Sequence, residues 1–212
     1  MRPLPSGPLD DSYHQRMDLV TEQVRIVMAR LEAQDAQDRV DGTPQAQRLR
    51  AITPETGQFL LTLALAIRAR TIVEVGTSGG YSGLWLALAV RESGGRLTTF
   101  DVDPAKVALA RAAFADAGLA EVVESRNEDG VAALGTFGGT VDLVFLDAEK
   151  DLYEAALEPA IGALRPGGLL VADNLTTHPE ELGRFRDRAL SDERLVGLVV
   201  PIGKGELVAV RR

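Results

Sequence analysis

The chain contains no cysteine. That removes disulfides, thiolate metal sites and cysteine nucleophiles together, and makes a cytoplasmic protein the expectation. Histidine is nearly absent too: His14 and His178 are the two in 212 residues, too few and too far apart for a zinc site. Positive charge is in short supply, with 23 Lys and Arg against 31 Asp and Glu and a formal net charge of −8. A non-specific electrostatic grip on nucleic-acid phosphates is therefore disfavoured, and small-molecule chemistry is the better expectation. Long apolar runs are missing. The stretch from Phe59 to Ile67 is too short to span a bilayer, and the opening MRPLPSGPLDD lacks the apolar segment of a secretory signal. Aromatics make up 5% of the chain, with one tryptophan, Trp85, expected in the core.

What is present is enough apolar material, 45% of residues, to bury one good core, so residues 1–212 read as one domain. Residues 1–11 hold three prolines and a glycine and read as a loose arm. Two helices are expected over 12–67: an amphipathic one over 12–38, and a second begun by Thr53 as N-cap and Pro54 at the first helical position. Either could cover a ligand crevice or form a dimer face. The ligand-binding core follows over 71–212.

That core is organised around Thr71 to Ala89, TIVEVGTSGGYSGLWLALA. Thr71–Val75 is short, β-branched and almost wholly apolar, as a buried parallel strand requires. Gly76, Gly79 and Gly80 let the backbone turn tightly and let a ligand approach without meeting a Cβ. The helix that begins at Tyr81 points its free N–H groups and positive dipole end at the same turn. Strand, glycine turn and helix N-terminus together make a ligand site, because open α/β sheets bind ligands beyond the carboxyl ends of their strands.

Strands are then expected at 96–101, 120–125, 141–146 and 169–172, separated by helices at 104–117, near 129–134 and at 151–164, with Arg165–Gly168 as a turn. This rhythm implies right-handed crossovers and a parallel sheet. After a helix over 179–190, Leu195–Ile202 and Glu206–Val210 flank Gly203-Lys204-Gly205 and read as an antiparallel hairpin. The expected fold is α/β and Rossmann-like: a mostly parallel seven-stranded sheet, helices on both faces, and a C-terminal antiparallel hairpin.

Several polar residues fall at strand ends. Asp101 closes the second strand, where an acid can accept hydrogen bonds from ribose hydroxyls, while Asp103 is expected to cap the next helix. Asp147 closes the fourth strand and Asp173-Asn174 the fifth. Two carboxylates and an amide oxygen at adjacent strand ends are hard ligands, suited to Mg²⁺, Mn²⁺ or Ca²⁺ rather than zinc. Lys150, three residues past Asp147, is a candidate general base. A rival reading takes Gly76-Thr-Ser78-Gly-Gly80 as the nucleophile elbow of a serine hydrolase, with Asp147 and His178 following in hydrolase order. It requires earlier strands for an oxyanion loop, which the sequence does not supply, and leaves Asp101, Lys150 and Asn174 unused.

The ordered set Glu74-Val-Gly-Thr-Ser-Gly-Gly-Tyr-Ser82, Phe100-Asp-Val-Asp-Pro104, Phe145-Leu-Asp-Ala-Glu-Lys-Asp-Leu-Tyr153 and Arg165-Pro-Gly-Gly-Leu-Leu-Val-Ala-Asp-Asn174 resembles the S-adenosylmethionine-dependent, cation-dependent O-methyltransferases of the caffeoyl-CoA and catechol type. The likeness covers about residues 50–212 and also takes in Thr53-Pro-Glu-Thr-Gly-Gln58. It implies a Rossmann-like methyltransferase fold, with S-adenosylmethionine and Mg²⁺ (or Mn²⁺ or Ca²⁺) as cofactors. It makes Asp147, Asp173 and Asn174 the metal ligands and Lys150, with Asp147, the catalytic pair. It places Glu74, Gly76, Ser82 and Asp101 around the cofactor, with Ser82 on the methionine carboxylate, Asp101 on the ribose and Asp129 near the adenine. The glycine that the family carries before that last acid is Glu128 here. The implied reaction is methyl transfer to a hydroxyl of a small catechol-like or phenolic acceptor, in a homodimer. The family's aromatic-rich insertion after the Asp-Asn pair is missing, since Leu175-Thr-Thr-His-Pro179 passes straight into a helix, so the acceptor pocket is expected to be open or completed by other segments. Some bacterial relatives are thought to methylate a hydroxylated wobble uridine in tRNA, against which the acidic balance argues.

Overall fold

The structure is a computed structural model that describes residues 19–212; the expected arm over 1–11 and the start of the helix expected over 12–38 lie outside the described residues. The rest of that helix is α1, Glu22–Asp38, with Thr21 as N-cap. Helix α2, Pro54–Ala66, begins as its sequence predicts, the Thr53 hydroxyl accepting from the Thr56 amide at 3.2 Å.

The core then runs β1 (Thr71–Val75), α3 (Tyr81–Ser93), β2 (Arg96–Asp101), α4 (Pro104–Asp116), β3 (Val123–Asn127), α5 (Gly130–Leu134), β4 (Val141–Leu146), α6 (Tyr153–Ala163), β5 (Leu164–Ala172), α7 (Pro179–Ser191), β6 (Leu195–Val200) and β7 (Glu206–Arg211). The seven strands form one sheet in the order β3-β2-β1-β4-β5-β7-β6. Strands β1 to β5 are mutually parallel, and β7 is antiparallel to both β5 and β6. The chain moves outward from β1 through β2 to β3, then returns to place β4 on the other side of β1. A crevice opens at this reversal, beyond the carboxyl ends of β1 and β4.

Side chains alternate across the sheet. Ile72, Leu97, Leu143, Phe145 and Val171 face the cluster built with α1 to α4. Val73, Val75, Val144, Leu146 and Leu170 face the one built with α5 to α7. Trp85 is buried in the first cluster, as expected. No described helix is long and apolar enough to cross a membrane.

Boundaries differ from the sequence reading at three places. The strand expected at 120–125 starts at Val123, after a 3₁₀ turn at Ala120–Val122. The helix expected over 151–164 begins as a 3₁₀ turn, Lys150–Leu152, and ends at Ala163, because Leu164 already pairs with Val141. Arg165–Gly168, expected as a turn, lies inside β5, where Gly167 has φ +76°. A register shift between Val141 and Leu143 absorbs it; a local bulge is where a strand tolerates proline and glycine.

Candidate active site

The loop after β1 is held to its neighbours by the backbone. The amides of Gly76 and Thr77 donate to the Phe100 carbonyl at 2.9 and 3.1 Å, Asp147 N donates to Val75 O at 3.0 Å, and Asp173 N donates to Leu146 O at 3.1 Å. These bonds carry the parallel ladders one step past the strands, so Gly76, Asp147 and Asp173 leave the sheet side by side. Gly76 (φ +105°) packs so tightly against the next strand that a Cβ there would stand 2.0 Å from the Asp147 carbonyl oxygen. Gly80 (φ +87°) caps α3, and its left-handed backbone turns the first free amides of the helix toward the crevice.

A cleft of about 950 Å³ lies above these strand ends. Gly76, Ser82, Asp101, Asp129, Asp147, Lys150 and Asn174 all line it, so most of the expected site residues share one cavity. Its other wall comes from Leu31 of α1, from Arg39 just past its end, and from the segment 45–52 that links the two N-terminal helices, whereas Pro54–Ala66 contributes no residue to the lining.

Four expected cofactor residues, Glu74, Ser82, Asp101 and Asp129, are hydrogen-bonded within the protein itself. Glu74 is fully buried, outside the cleft lining. It accepts from Ser82 Oγ at 2.5 Å and from Thr99 Oγ1 at 2.6 Å, and Thr99 in turn pairs with Thr77 at 2.6 Å. Burial pushes the Glu74 carboxyl up to about 7, against the lowering effect of the two hydroxyls. Glu74 therefore orients Ser82 and the glycine loop from beneath rather than facing the cleft. Asp101 accepts from Ser78 N at 2.8 Å and from Asp103 N at 2.9 Å, which fixes its carboxylate at the cleft edge. Asp103 caps α4 through Ala105 N at 2.8 Å, as expected. Asp129 caps α5 through Val131 N (2.9 Å) and Ala132 N (3.2 Å) while lining the cleft.

At the ends of β4 and β5, the Asn174 side-chain amide meets Asp147 Oδ1 at 2.8 Å. Asn174 has φ +77°, a left-handed conformation that asparagine tolerates better than most residues. Lys150 Nζ lies 3.6 Å from Asp147 Oδ1, donates to Ala148 O at 3.1 Å, and sits 5.3 Å from the centre of the Tyr153 ring. Tyr153 is itself buried, and its hydroxyl reaches the carbonyls of Leu146 and Asp173 at 3.2 and 3.1 Å, tying the two strand ends together. Asp173 is enclosed behind this set, outside the cleft lining. Its Oδ1 accepts from Asn174 N at 2.6 Å, and its Oδ2 lies 4.0 Å from Lys204 Nζ.

Among the described residues, no three of His, Cys, Asp and Glu come together as a cluster able to hold a metal ion. The donor set at these strand ends is two aspartates and an asparagine, all offering oxygen. Asp173 Oδ2 is buried without a protein hydrogen-bond donor, and the amide of Asn174 can present its oxygen to the same point by rotating about its last bond. The chemistry of this set fits a hard divalent cation.

Residues the sequence reading did not single out complete the site. Arg50 (φ +51°) pairs with Glu149 through both guanidinium nitrogens across the cleft mouth. Glu206, at the start of β7, is fully buried and stands opposite Asp173, one register step past the Ala172–Leu207 pair; burial and the charge of Asp173 push its carboxyl upward. The one sequence signal for Glu206 is an acid opening an otherwise apolar strand. The serine-hydrolase reading fails: the Ser78 hydroxyl donates to the Leu49 carbonyl and His178 Nδ1 pairs with Glu181, so among the described residues Ser78 has no histidine partner.

Comparison with known proteins agrees with this geometry. The O-methyltransferase family matches residues 36–184. A Mycobacterium tuberculosis protein named Probable O-methyltransferase Rv1220c is 34% identical over 177 residues, which span 76% of this chain and 78% of that protein. Among solved structures, the Bacillus cereus O-methyltransferase in complex with S-adenosylhomocysteine superposes with a TM-score of 0.76 at 25% identity, covering 95% of this chain and 96% of that one. The Streptomyces achromogenes O-methyltransferase TomG, in complex with S-adenosylmethionine, gives 0.72 at 27% identity, covering 95% of each chain. A glycine turn backed by a buried acid, a carboxylate at the end of β2, and the Asp147–Asn174 contact across two strand ends thus occur in a chain that belongs to the O-methyltransferase family.

Proposed function

We propose that this protein transfers the methyl group of S-adenosylmethionine to a hydroxyl of a small catechol-like or phenolic acceptor, assisted by Mg²⁺ or a similar divalent cation at Asp147, Asp173 and Asn174. The observation that carries the reading is the meeting of Asp147 and Asn174 at 2.8 Å directly beside the loop at Gly76. The co-crystallised S-adenosylhomocysteine and S-adenosylmethionine of the two O-methyltransferases above support the donor.

S-adenosylmethionine supplies an electrophilic methyl on a sulfonium, and the cleft above Gly76 receives it. Ser82, oriented by Glu74, and the first amides of α3 bind the donor's carboxylate. Asp101 accepts from the ribose hydroxyls, and Asp129 stands at the far end of the same cleft. A divalent cation, when bound, lowers the pKa of a coordinated hydroxyl and fixes its direction. Lys150, placed between Asp147 and the Tyr153 ring, takes in its neutral amine form the proton that the hydroxyl gives up, and releases it to solvent before the next turnover. Segment 45–52 shields the reacting atoms from water, and holding two reactants in line lowers the barrier by itself.

The test is methylation of catechol by the purified protein with and without EDTA, and by Asp147→Ala. The expected result is loss of product under chelation, its return with added Mg²⁺, and loss in the variant. Activity indifferent to chelation would overturn the role of the cation, and transfer to undermodified tRNA but to no phenol would overturn the acceptor class.

A further inference from the structure

The turn between β6 and β7 is built more tightly than a surface hairpin requires. Gly203 and Gly205 both hold left-handed backbone, with φ of +54° and +86°. A Cβ on the first would stand 2.1 Å from Thr56 Oγ1, and one on the second 2.4 Å from Thr176 Cγ2, so only glycine fits on either side of Lys204. The Lys204 carbonyl accepts twice from Thr176, from its amide at 3.0 Å and from its hydroxyl at 2.6 Å, and Leu175 N donates to Gly205 O at 2.9 Å. These bonds lock the turn to the two residues that follow Asn174. Lys204 itself is turned inward: its side chain is 24% exposed and lines the cleft. Its Nζ donates to the Ala51 carbonyl at 3.2 Å and stands 4.0 Å from Asp173 Oδ2, too far for a hydrogen bond. An ammonium carries three N–H donors, so among the described residues the protein leaves part of this donor set unspent.

Unspent donors on a half-buried ammonium in a ligand cleft call for an acceptor on the ligand, and the strongest such acceptor is an anion. The other cations near the ends of β4 and β5 are engaged, Arg50 with Glu149 and Lys150 with Asp147. Of the further acids on the wall after β4 and at the start of α7, Glu181 pairs with His178, and Asp151 is exposed to solvent that screens it. Asp173 Oδ2 is also an oxygen offered to the divalent cation, so a group bound by Lys204 adjoins the acceptor oxygens held there. We propose that Lys204 is a specificity-determining residue: it receives a carboxylate carried on the ring carbon next to the acceptor's hydroxyl pair, so that the favoured substrates are of the 2,3-dihydroxybenzoate class rather than plain catechol. The inference rests on the reaction proposed above and names its acceptor more closely. A carboxylate at the far side of the ring, as in 3,4-dihydroxybenzoate, points away from Lys204 when the same hydroxyls are held. The locked turn presents the charge already placed, which limits the ordering cost of binding.

The experiment measures acceptor affinity by calorimetry on the full-length protein with S-adenosylhomocysteine and Mg²⁺ present, and kcat/KM for methyl transfer alongside. The probes are 2,3-dihydroxybenzoate, its neutral amide 2,3-dihydroxybenzamide, 3,4-dihydroxybenzoate and catechol. The wild type is expected to bind 2,3-dihydroxybenzoate roughly 10- to 100-fold more tightly than the amide or catechol, the range of one hydrogen bond between charged groups, with kcat/KM in the same order. 3,4-Dihydroxybenzoate is expected to rank with catechol. Lys204→Met is expected to bring the affinity ratio of 2,3-dihydroxybenzoate to its amide close to one. A variant that weakens both ligands equally and keeps the ratio would reduce Lys204 to a structural tether and overturn the proposal. So would a wild type that binds the amide as tightly as the acid, or prefers 3,4- to 2,3-dihydroxybenzoate; these comparisons need no variant and stand even if Lys204→Met fails to fold. A wild type that binds S-adenosylhomocysteine but neither binds nor methylates any of the four phenols with Mg²⁺ would overturn the proposed reaction, and this inference with it.

Discussion

Gly76 and Asp147 touch so closely that any side chain on the glycine would overlap the aspartate's carbonyl oxygen, a Cβ falling 2.0 Å from it. The contact fixes the distance between the glycine loop and the acidic strand end, which under the proposed function are the donor and acceptor sides of the reaction. Gly76→Ala combines this overlap with a φ of +105° that alanine rarely adopts. It is expected to cost more than about 2 kcal/mol of stability and to abolish S-adenosylhomocysteine binding. Urea denaturation and calorimetry check the two effects. A variant as stable as wild type with intact binding would show that the loop is not held by this contact.

How much of this was readable beforehand divides along sequence separation. The ends of β1, β2, β4 and β5 are legible because apolar runs stop at Glu74-Val-Gly, Asp101, Asp147 and Asp173, and a parallel sheet then brings those ends to one edge. The pairing of Asp173 with Glu206 is not legible, since it depends on how the final hairpin registers against β5. Nor is the contact of Arg50 with Glu149, 99 positions apart. Pro166-Gly167-Gly168 concealed the first half of β5 because local turn chemistry competes with a strand pairing that only the neighbouring strand reveals. The motif alone places Glu74 beside the cofactor; strand alternation puts it beneath the loop, against Thr99.

The buried Glu74 makes stability depend on pH with a definite sign. Its folded pKa is about 7 against an ordinary value of 4.5, because burial disfavours the charged form. Between these values the folded protein holds a proton that the unfolded chain has released, so stability falls as pH rises through the window. The full cost above pH 7 is about 3 kcal/mol. Glu74→Gln removes this titration and is expected to gain on wild type by up to that amount between pH 4.5 and 8, measured as the difference of urea-derived stabilities. A difference that stays flat with pH would contradict the assignment.

Lys150 makes a cleaner kinetic prediction. Its Nζ is held by Asp147, the Ala148 carbonyl and the Tyr153 ring. Lys150→Met is expected to lower kcat by about 10²- to 10⁴-fold, the usual contribution of a positioned general base, and to leave S-adenosylhomocysteine affinity intact. The loss should be smaller at high pH, where the acceptor hydroxyl ionises unaided. Equal kcat values for variant and wild type across pH would remove Lys150 from the reaction.

The segment over the cleft is tethered in two ways that differ in strength. Outside, Arg50 pairs with Glu149, whose side chain is 61% exposed; the guanidinium holds that carboxyl below its usual range, yet solvent screening limits an exposed pair to less than about 1 kcal/mol. Inside, the buried Asp38 accepts from Leu49 N at 3.0 Å and from Gln34 Nε2 at 2.6 Å. Removing it strands an enclosed amide, at about 1–3 kcal/mol. Asp38→Ala is therefore expected to lower the urea midpoint clearly more than Glu149→Gln, and to loosen protection of the Leu49 amide against hydrogen exchange, which Glu149→Gln leaves in place. The opposite ranking would make the surface pair the principal tether, and raising the salt concentration would then release the segment in the wild-type protein.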